Sequence, residues 1–483
     1  MKIKTKTNNL GRNAFWSVLN QGLGQILVLL VFLVTARFVS KEAFGIMAAS
    51  LIAIEFFRQI FIEPIGTTFY AKNSPTADDY NAGFFIILFG GASSAIFIFA
   101  SAGVIASVLK HGEIESTLRW ISVLLLTTGL SKMHEIWLGK HFKFKSLAIR
   151  SLCSIVIGGA VGVYMAVEGY GVNSLIAQQV VTASISLCWL WMASDWRPSL
   201  SVRSKNVLEI ISSGKYVALN SIVSMVSNQG DVLLSTYYLG AGATGTYNAA
   251  KRLLTASALI IGSGLNSVAL PAQAAISDDP VRFRRSFLKC VGFTSALTAP
   301  IFVGMAVLSA DLIDVLMGKN WLDAAPILTI LAAAGFNRSV AQYSSNVLLI
   351  QGKARLLSYI GIFKAVVSTM VLVIFAKYGL SALALAYVGR TLLLSPITTR
   401  IALRLLDVSS YDYLRAIAPP ILVALLMGAA IFAGRLYFDF HPLLNLVLFV
   451  PVGGAIYVFL LWLIDKQTLR DSVEVISTSL KKV

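Results

Sequence analysis

Charge is what this chain has least of. Only 13% of its 483 residues are charged, while 57% are hydrophobic; soluble domains carry about 25% charged residues. A soluble fold this apolar would lack the polar surface to cover itself, so most of the exterior must face lipid. Cysteine is nearly absent too. Cys153, Cys188 and Cys290 each stand alone in an apolar segment. With no CxxC or histidine-partner spacing they exclude a disulfide framework and a cysteine metal site, and read as small buried hydrophobes. The histidines (His111, His134, His141, His441) are scattered and no Walker sequence occurs, which argues against a catalytic cluster and against ATP as the direct energy source. No cofactor and no metal are expected. Met1 to Arg12 is basic, but the apolar run behind it is too long for a signal h-region and no small-residue cleavage site follows. The first helix therefore reads as an uncleaved anchor.

What the chain has in abundance is long apolar runs. A span needs about 20 apolar residues to cross roughly 30 Å of hydrocarbon. On that ruler runs fall near 14–36, 44–66, 83–109, 117–138, 147–167 and 172–194, then, after a polar amphipathic connection, near 216–239, 244–271, 286–310, 325–350, 356–377, 380–404, 416–436 and 443–464. The expected fold is all-α and membrane-integral, with about fourteen transmembrane helices grouped six, six and two. The expected organisation is an N-lobe over 1–194, a cytoplasmic linker over 195–215, a C-lobe over 216–404, and two last helices with a charged tail over 405–483.

The net charge of +17 does not point to nucleic acid, because Lys and Arg sit in short loops rather than on one domain. Those loops orient the protein instead. With the N-terminus inside, the inner segments hold Lys2, Lys4, Lys6, Arg12, the 140–145 and 197–215 clusters, Arg282, Arg284, Arg285 and the basic tail, whereas the outer loops carry less. The excess puts both termini in the cytoplasm. No outer loop is long enough to form a domain.

The chain repeats itself at an offset of 200. Asn20, Leu33, Ala43, Gly45 and Ala49 recur as Asn220, Leu233, Ala243, Gly245 and Ala249 without a gap. Each copy opens one six-helix lobe, so the lobes are related by a parallel pseudo-two-fold repeat.

Polar residues inside the runs are the candidate site. Glu55 and Arg58 lie three apart on one helix face: either a local ion pair that neutralises itself, or an arginine lining a polar cavity with Glu55 holding it. Glu63, off that face and beside Pro64, reads as interfacial. In the seventh run Asn220, Ser224, Ser227, Asn228 and Asp231 form one stripe, and the first run answers with Ser17, Asn20, Gln21 and Gln25. Packing glue or a shared water-filled cleft would both produce such stripes. Asn248, Lys251 and Arg252 share a face of the eighth run, Arg338 lies in the tenth, and Lys364 and Arg390 read as isolated cations in the eleventh and twelfth. Deep cations outnumber the deep acids Glu55 and Asp231, which favours an anionic substrate such as a phosphate or diphosphate head group over a cationic drug.

Three stretches carry a resemblance: NAFWSVLNQGLGQ after the basic N-terminus, the ARFVSKEAFGIMAAS turn, and LLIQGKARLLSYI. With the two repeated lobes and two extra helices, the whole chain resembles the multidrug/oligosaccharidyl-lipid/polysaccharide exporter superfamily, and within it the polysaccharide transporter branch, the Wzx-type oligosaccharide flippases. The resemblance implies a non-enzymatic transporter that moves undecaprenyl-diphosphate-linked glycans to the outer leaflet by rocking its lobes about a cationic cavity. In the related lipid II flippases cavity arginines sit on helices one, two and eight, which implies Arg58 and Lys251/Arg252 here. Arg37, the only cation of the first run, lies at its outer end and departs from that pattern. Transport in the superfamily is tied to an ion gradient or the membrane potential, with Asp231 and Glu55 the acids for such coupling. The implied setting is the bacterial cytoplasmic membrane, as a monomer, near a polysaccharide polymerase and an initiating glycosyltransferase. Two other classes stay open: an ion-coupled drug or metabolite antiporter on the same fold, and a membrane glycan polymerase or ligase.

Overall fold

A computed structural model describes residues 10–72, 74–201, 204–438 and 440–466, and among these every regular element is helical. The chain divides into two compact units, Met1–Asn248 and Ala249–Val483.

The first unit contains α1 (Leu10–Thr35), α2 (Lys41–Phe61), α3 (Glu63–Ala71), α4 (Ala77–Leu109), α5 (Glu113–Ile121), α6 (Val123–Lys140), α7 (Phe144–Val167), α8 (Val172–Ala193) and α9 (Ser204–Leu239), and ends in the first turns of α10 (Ala241–Ala275). Local chemistry sets the boundaries. Ser40 caps α2 by accepting the Ala43 N–H, and Thr76 and Asp79 form a reciprocal capping box at the start of α4. Pro64 cannot donate to a helical bond and its ring crowds the carbonyl four residues back, so the second apolar run breaks at Ile62 into α2 and α3.

After α8, Asn81 pins the connection to α9. Its amide donates to Ser199 Oγ (2.7 Å) and the Ser201 carbonyl (3.2 Å), and its Oδ1 accepts the Ser199 N–H (3.1 Å). Lys143 Nζ lies 2.7 Å from Asp195, and this hydrogen bond holds the exposed carboxyl below its ordinary pKa. Only the start of the expected linker is non-helical; from Ser204 it is the first part of α9.

The N-terminal ends of α2 and α10 meet through the glycines of the repeat. A methyl group on Gly45 would lie 1.8 Å from the Ala241 carbonyl oxygen, and one on Gly245 would lie 1.9 Å from the Lys41 carbonyl oxygen. Each glycine thus admits the partner helix's backbone, and both contacting pairs are matched at the 200-residue offset. The Ala241 N–H, unsatisfied by the helix it begins, donates to His111 Nε2 at 3.0 Å.

The second unit contains the rest of α10, then α11 (Pro280–Val307), α12 (Ser309–Met317), α13 (Ala324–Ile350), α14 (Ala354–Ala376), α15 (Leu380–Leu405), α16 (Ser410–Tyr437) and α17 (Pro442–Ile464). Phe283, Phe287, Val291, Tyr343 and Val347 centre one core; Ala296, Val423, Met427 and Tyr457 centre a second, which seats α16 and α17 on α11. Buried Asp311 of α12 ties these helices together: Arg435 of α16 pairs with it at 2.9 Å and Asn445 of α17 donates to it at 3.0 Å.

Among the described residues ten helical stretches are long and apolar enough to cross a bilayer. α6 is not one of them, because Lys132, His134 and Glu135 fall within about one turn of it. Cys188 is exposed on the apolar exterior rather than buried.

Candidate functional site

The first unit has an open cavity of about 620 Å³ whose wall comes from α2, α6, α7, α8, α9 and the start of α10. Its polar wall includes Glu55, Arg58, Arg150, Gln179, Gln229 and Asn248; Leu51, Ile52 and Ile155 supply apolar surface. Both readings of Glu55 and Arg58 hold together: they form an ion pair (3.1 Å), and both line the cavity.

The pair belongs to a larger network. Arg58 also reaches Glu63 (3.1 Å), Glu63 is shared with Lys132 (3.1 Å), Lys132 approaches Glu135 (3.9 Å), and Glu135 faces Arg150 (3.6 Å). Gln59 donates to the other oxygen of Glu55 at 2.6 Å. Three cations therefore face three carboxylates across α2, α3, α6 and α7, and their charges cancel. The expectation that Glu63 lies off the Arg58 face is corrected here. On one continuous helix a residue five positions on would point away from Arg58, but the break at Ile62 restarts the chain as α3. Glu63 then sits in a first turn, where the helix dipole favours a carboxylate, within reach of both cations. Lys132, Glu135 and Arg150 were not singled out in the sequence, although Lys132 and Glu135 sit at i, i+3 within an apolar run.

The α9 stripe does not act as one face. Asp231 is fully buried; its Oδ2 accepts the hydroxyl of buried Tyr247 at 2.7 Å and its Oδ1 accepts the Val232 N–H at 3.0 Å. Asn220, Ser224 and Asn228 are exposed, and the Asn228 amide donates to the Ser224 carbonyl of its own helix. Gln229, outside the stripe, lines the cavity instead. The side chains of Asn20 and Gln21 lie outside the described residues.

The second unit holds a separate group of cations. Lys251 is buried, with Nζ 5.4 Å from the centre of the Tyr387 ring, and the Arg390 guanidinium lies 4.5 Å from the same ring. Tyrosine thus offers its negative face to two cations that the sequence placed on different helices. Lys364 Nζ donates to Thr398 Oγ1 at 2.7 Å. Arg252 is half-buried and Arg338 is exposed, while its neighbour Asn337 donates to Ser395 (2.9 Å). The sequences of α10, α11, α13, α14, α15 and α17 contain no Asp or Glu at all. Together these six helices thus carry cations and no carboxylate, whereas the network of the first unit sums to zero. The second unit also carries an apolar groove of about 510 Å³ along α11, α16 and α17, whose wall includes Phe293, Ile301, Met427 and Phe449.

Residues 34–326 match a protein family described as polysaccharide biosynthesis protein. The teichuronic acid biosynthesis protein TuaB of Bacillus subtilis is 23% identical over 424 residues, 84% of this chain and 85% of that protein. The succinoglycan biosynthesis transport protein ExoT of Rhizobium meliloti is 24% identical over 474 residues, 97% and 94% of the two chains. Among solved structures, the lipid II flippase MurJ in an inward closed conformation matches with a TM-score of 0.77 and 15% identity, covering 94% of this chain and 100% of that one. An inward-facing multidrug resistance MATE family transporter of the MOP superfamily matches at 0.55 and 14% identity, over 85% and 98%. At these identities the structural matches establish the fold alone, an all-helical fold with many apolar helices.

Proposed function

Because the chain belongs to the polysaccharide biosynthesis protein family, we propose that it is a flippase for a lipid-linked oligosaccharide. It carries a polyprenyl-diphosphate-linked glycan from the cytoplasmic to the outer leaflet of a bacterial cytoplasmic membrane by alternating access, with both termini in the cytoplasm. The observation that carries this reading is the acid-free, cation-bearing set of helices in the second unit. Lys251 and Arg390 lie against one tyrosine ring, and a diphosphate is an anion that guanidinium and ammonium groups bind well. Lys251, Arg252 and Arg390 are assigned to it, with Arg338 and Lys364 as lesser contributors. The apolar groove on α11, α16 and α17 suits a polyprenyl chain that stays in lipid while its head group moves. Asp231 and Glu55 are assigned to coupling with an ion gradient. A polysaccharide polymerase and an initiating glycosyltransferase are the proposed working partners. An antiporter of cationic drugs would need the opposite charge excess.

Lipid co-purification tests the proposal. Native mass spectrometry of the detergent-extracted protein should find a bound polyprenyl-diphosphate species that is lost in Arg252→Glu. Absence of any such lipid, together with proton-competitive binding of small cationic drugs, would replace the flippase with the antiporter.

A further inference from the structure

We propose that the cavity of the first unit is a glycan subsite: it recognises the hydroxyl groups of the cargo's sugars and does not hold the diphosphate. The inference rests on the lipid-linked transport reading and assigns one part of that cargo to one wall of the protein.

The guanidinium of Arg58 is already engaged by two carboxylates. Diphosphate capture uses a guanidinium whose paired N–H groups are free to fork onto phosphate oxygens. Here Arg58 Nη1 faces Glu55 and Nη2 faces Glu63, each at 3.1 Å. Arg150, the other cation in the wall, faces Glu135 at 3.6 Å. An incoming diphosphate would meet Arg58 with both terminal nitrogens on carboxylates, Arg150 in an ion pair, and the carboxylate of Glu55 in the same wall. Repulsion from that carboxylate opposes a polyanion but not a neutral ligand.

A sugar hydroxyl has different needs. It donates one hydrogen bond and accepts up to two, so it fits a wall where acceptors and donors alternate. Glu55 supplies acceptor oxygens, Gln179, Gln229 and Asn248 supply both kinds, and Ser151 and Thr182 add hydroxyls, all facing one space of about 620 Å³. That volume lies within the range of small-molecule sites. Leu51 and Ile155 in the same wall offer surface to the C–H faces of a sugar ring. The ion network behind the wall then has a positioning task. Gln59 and Arg58 grip both oxygens of Glu55, at 2.6 and 3.1 Å, and fix the direction in which it accepts. A site built this way selects for hydroxyl pattern, because an absent or inverted hydroxyl strands a polar group in the wall.

The test uses two probes on the full-length protein in nanodiscs: undecaprenyl diphosphate without sugar, and the undecaprenyl-diphosphate glycans extracted from the producing cells. Gln179→Leu removes a donor and acceptor outside the ion network, and Glu55→Gln removes an acceptor while releasing a guanidinium N–H. Both variants should bind the glycan-bearing lipid roughly tenfold more weakly than wild type. Binding of the sugar-free lipid should not fall in either. Equal loss of both probes would make the cavity a diphosphate site and overturn the inference, and unchanged binding of both would remove it from recognition altogether. Wild-type protein that binds neither probe would refute the transport reading itself. Gln179→Leu stands apart from the charge network, so misfolding of Glu55→Gln would leave the test intact.

Discussion

The contact between Gly45 and Ala241 permits a sharp prediction. Replacing Gly45 with alanine adds one methyl group, which would sit 1.8 Å from the Ala241 carbonyl oxygen, 2.6 Å from its carbon and 3.0 Å from the Gly245 nitrogen. All three are backbone atoms, so no side chain can swing aside. Ordinary contact begins near 3.4 Å, and restoring it requires the ends of α2 and α10 to part by roughly 1.5 Å. Overpacking of this kind costs about 1–3 kcal/mol, and it must also overcome the stabilisation of up to about 1 kcal/mol that alanine brings to a helix interior. Thermal unfolding of the purified protein should therefore show Gly45→Ala destabilised. Gly361→Ala, on α14 with nothing within 4 Å of the added methyl, should be neutral or stabilised. Gly245→Ala should match Gly45→Ala, because its methyl meets the Lys41 carbonyl oxygen at 1.9 Å. The double variant should cost less than the two singles together, since one separation relieves both clashes. A Gly45→Ala protein as stable as Gly361→Ala, or strictly additive singles, would refute the reciprocal crossing.

Three further outcomes are expected. Glu63→Gln removes the carboxylate shared by Arg58 and Lys132 and should lower stability by about 1–2 kcal/mol, a buried-pair cost discounted because these groups are partly exposed; an unchanged melting curve would show that the network tolerates the loss. Asp311→Ala leaves Arg435 and Asn445 without their common acceptor, and should cost about 3 kcal/mol, with faster hydrogen exchange confined to α16 and α17; uniform exchange across the second unit would contradict the local tie. Asp231→Asn should change the dependence of transport on the ion gradient, and Tyr247→Phe should shift it in the same direction. Unchanged coupling in both would leave Asp231 as the hydrogen-bond partner of Tyr247 and no more.

The fold was legible because the bilayer imposes a length ruler on apolar runs, and the superfamily resemblance drawn from the sequence agrees with the family match and the structural similarity. The Glu55–Arg58 pair was legible because i, i+3 spacing is a local fact. The rest of the network was not, because Glu63 and Lys132 are 69 residues apart and meet only through packing of α3 on α6. The face of Glu63 was not legible for a different reason: periodicity assumes an unbroken helix, and Pro64 breaks it. On α9 the stripe was visible, but spacing alone could not tell that Asp231 turns to Tyr247 while Asn220 and Asn228 stay exposed. Likewise, nothing in the sequence joins Lys251 to Arg390, which share the ring of Tyr387.

The cancellation of charge among Arg58, Lys132, Arg150, Glu55, Glu63 and Glu135 has an electrical side. A bacterial membrane holds a voltage, and an elementary charge carried through its full field exchanges about 2.3 kcal/mol per 100 mV. A body whose charges sum to zero exchanges almost none, however far it travels. In the proposed transport stroke these six residues, moving together, contribute almost no gating charge. Neutralising any one of the six leaves the group with one net charge, and the voltage dependence of the proposed stroke should change by up to about 2.3 kcal/mol per 100 mV.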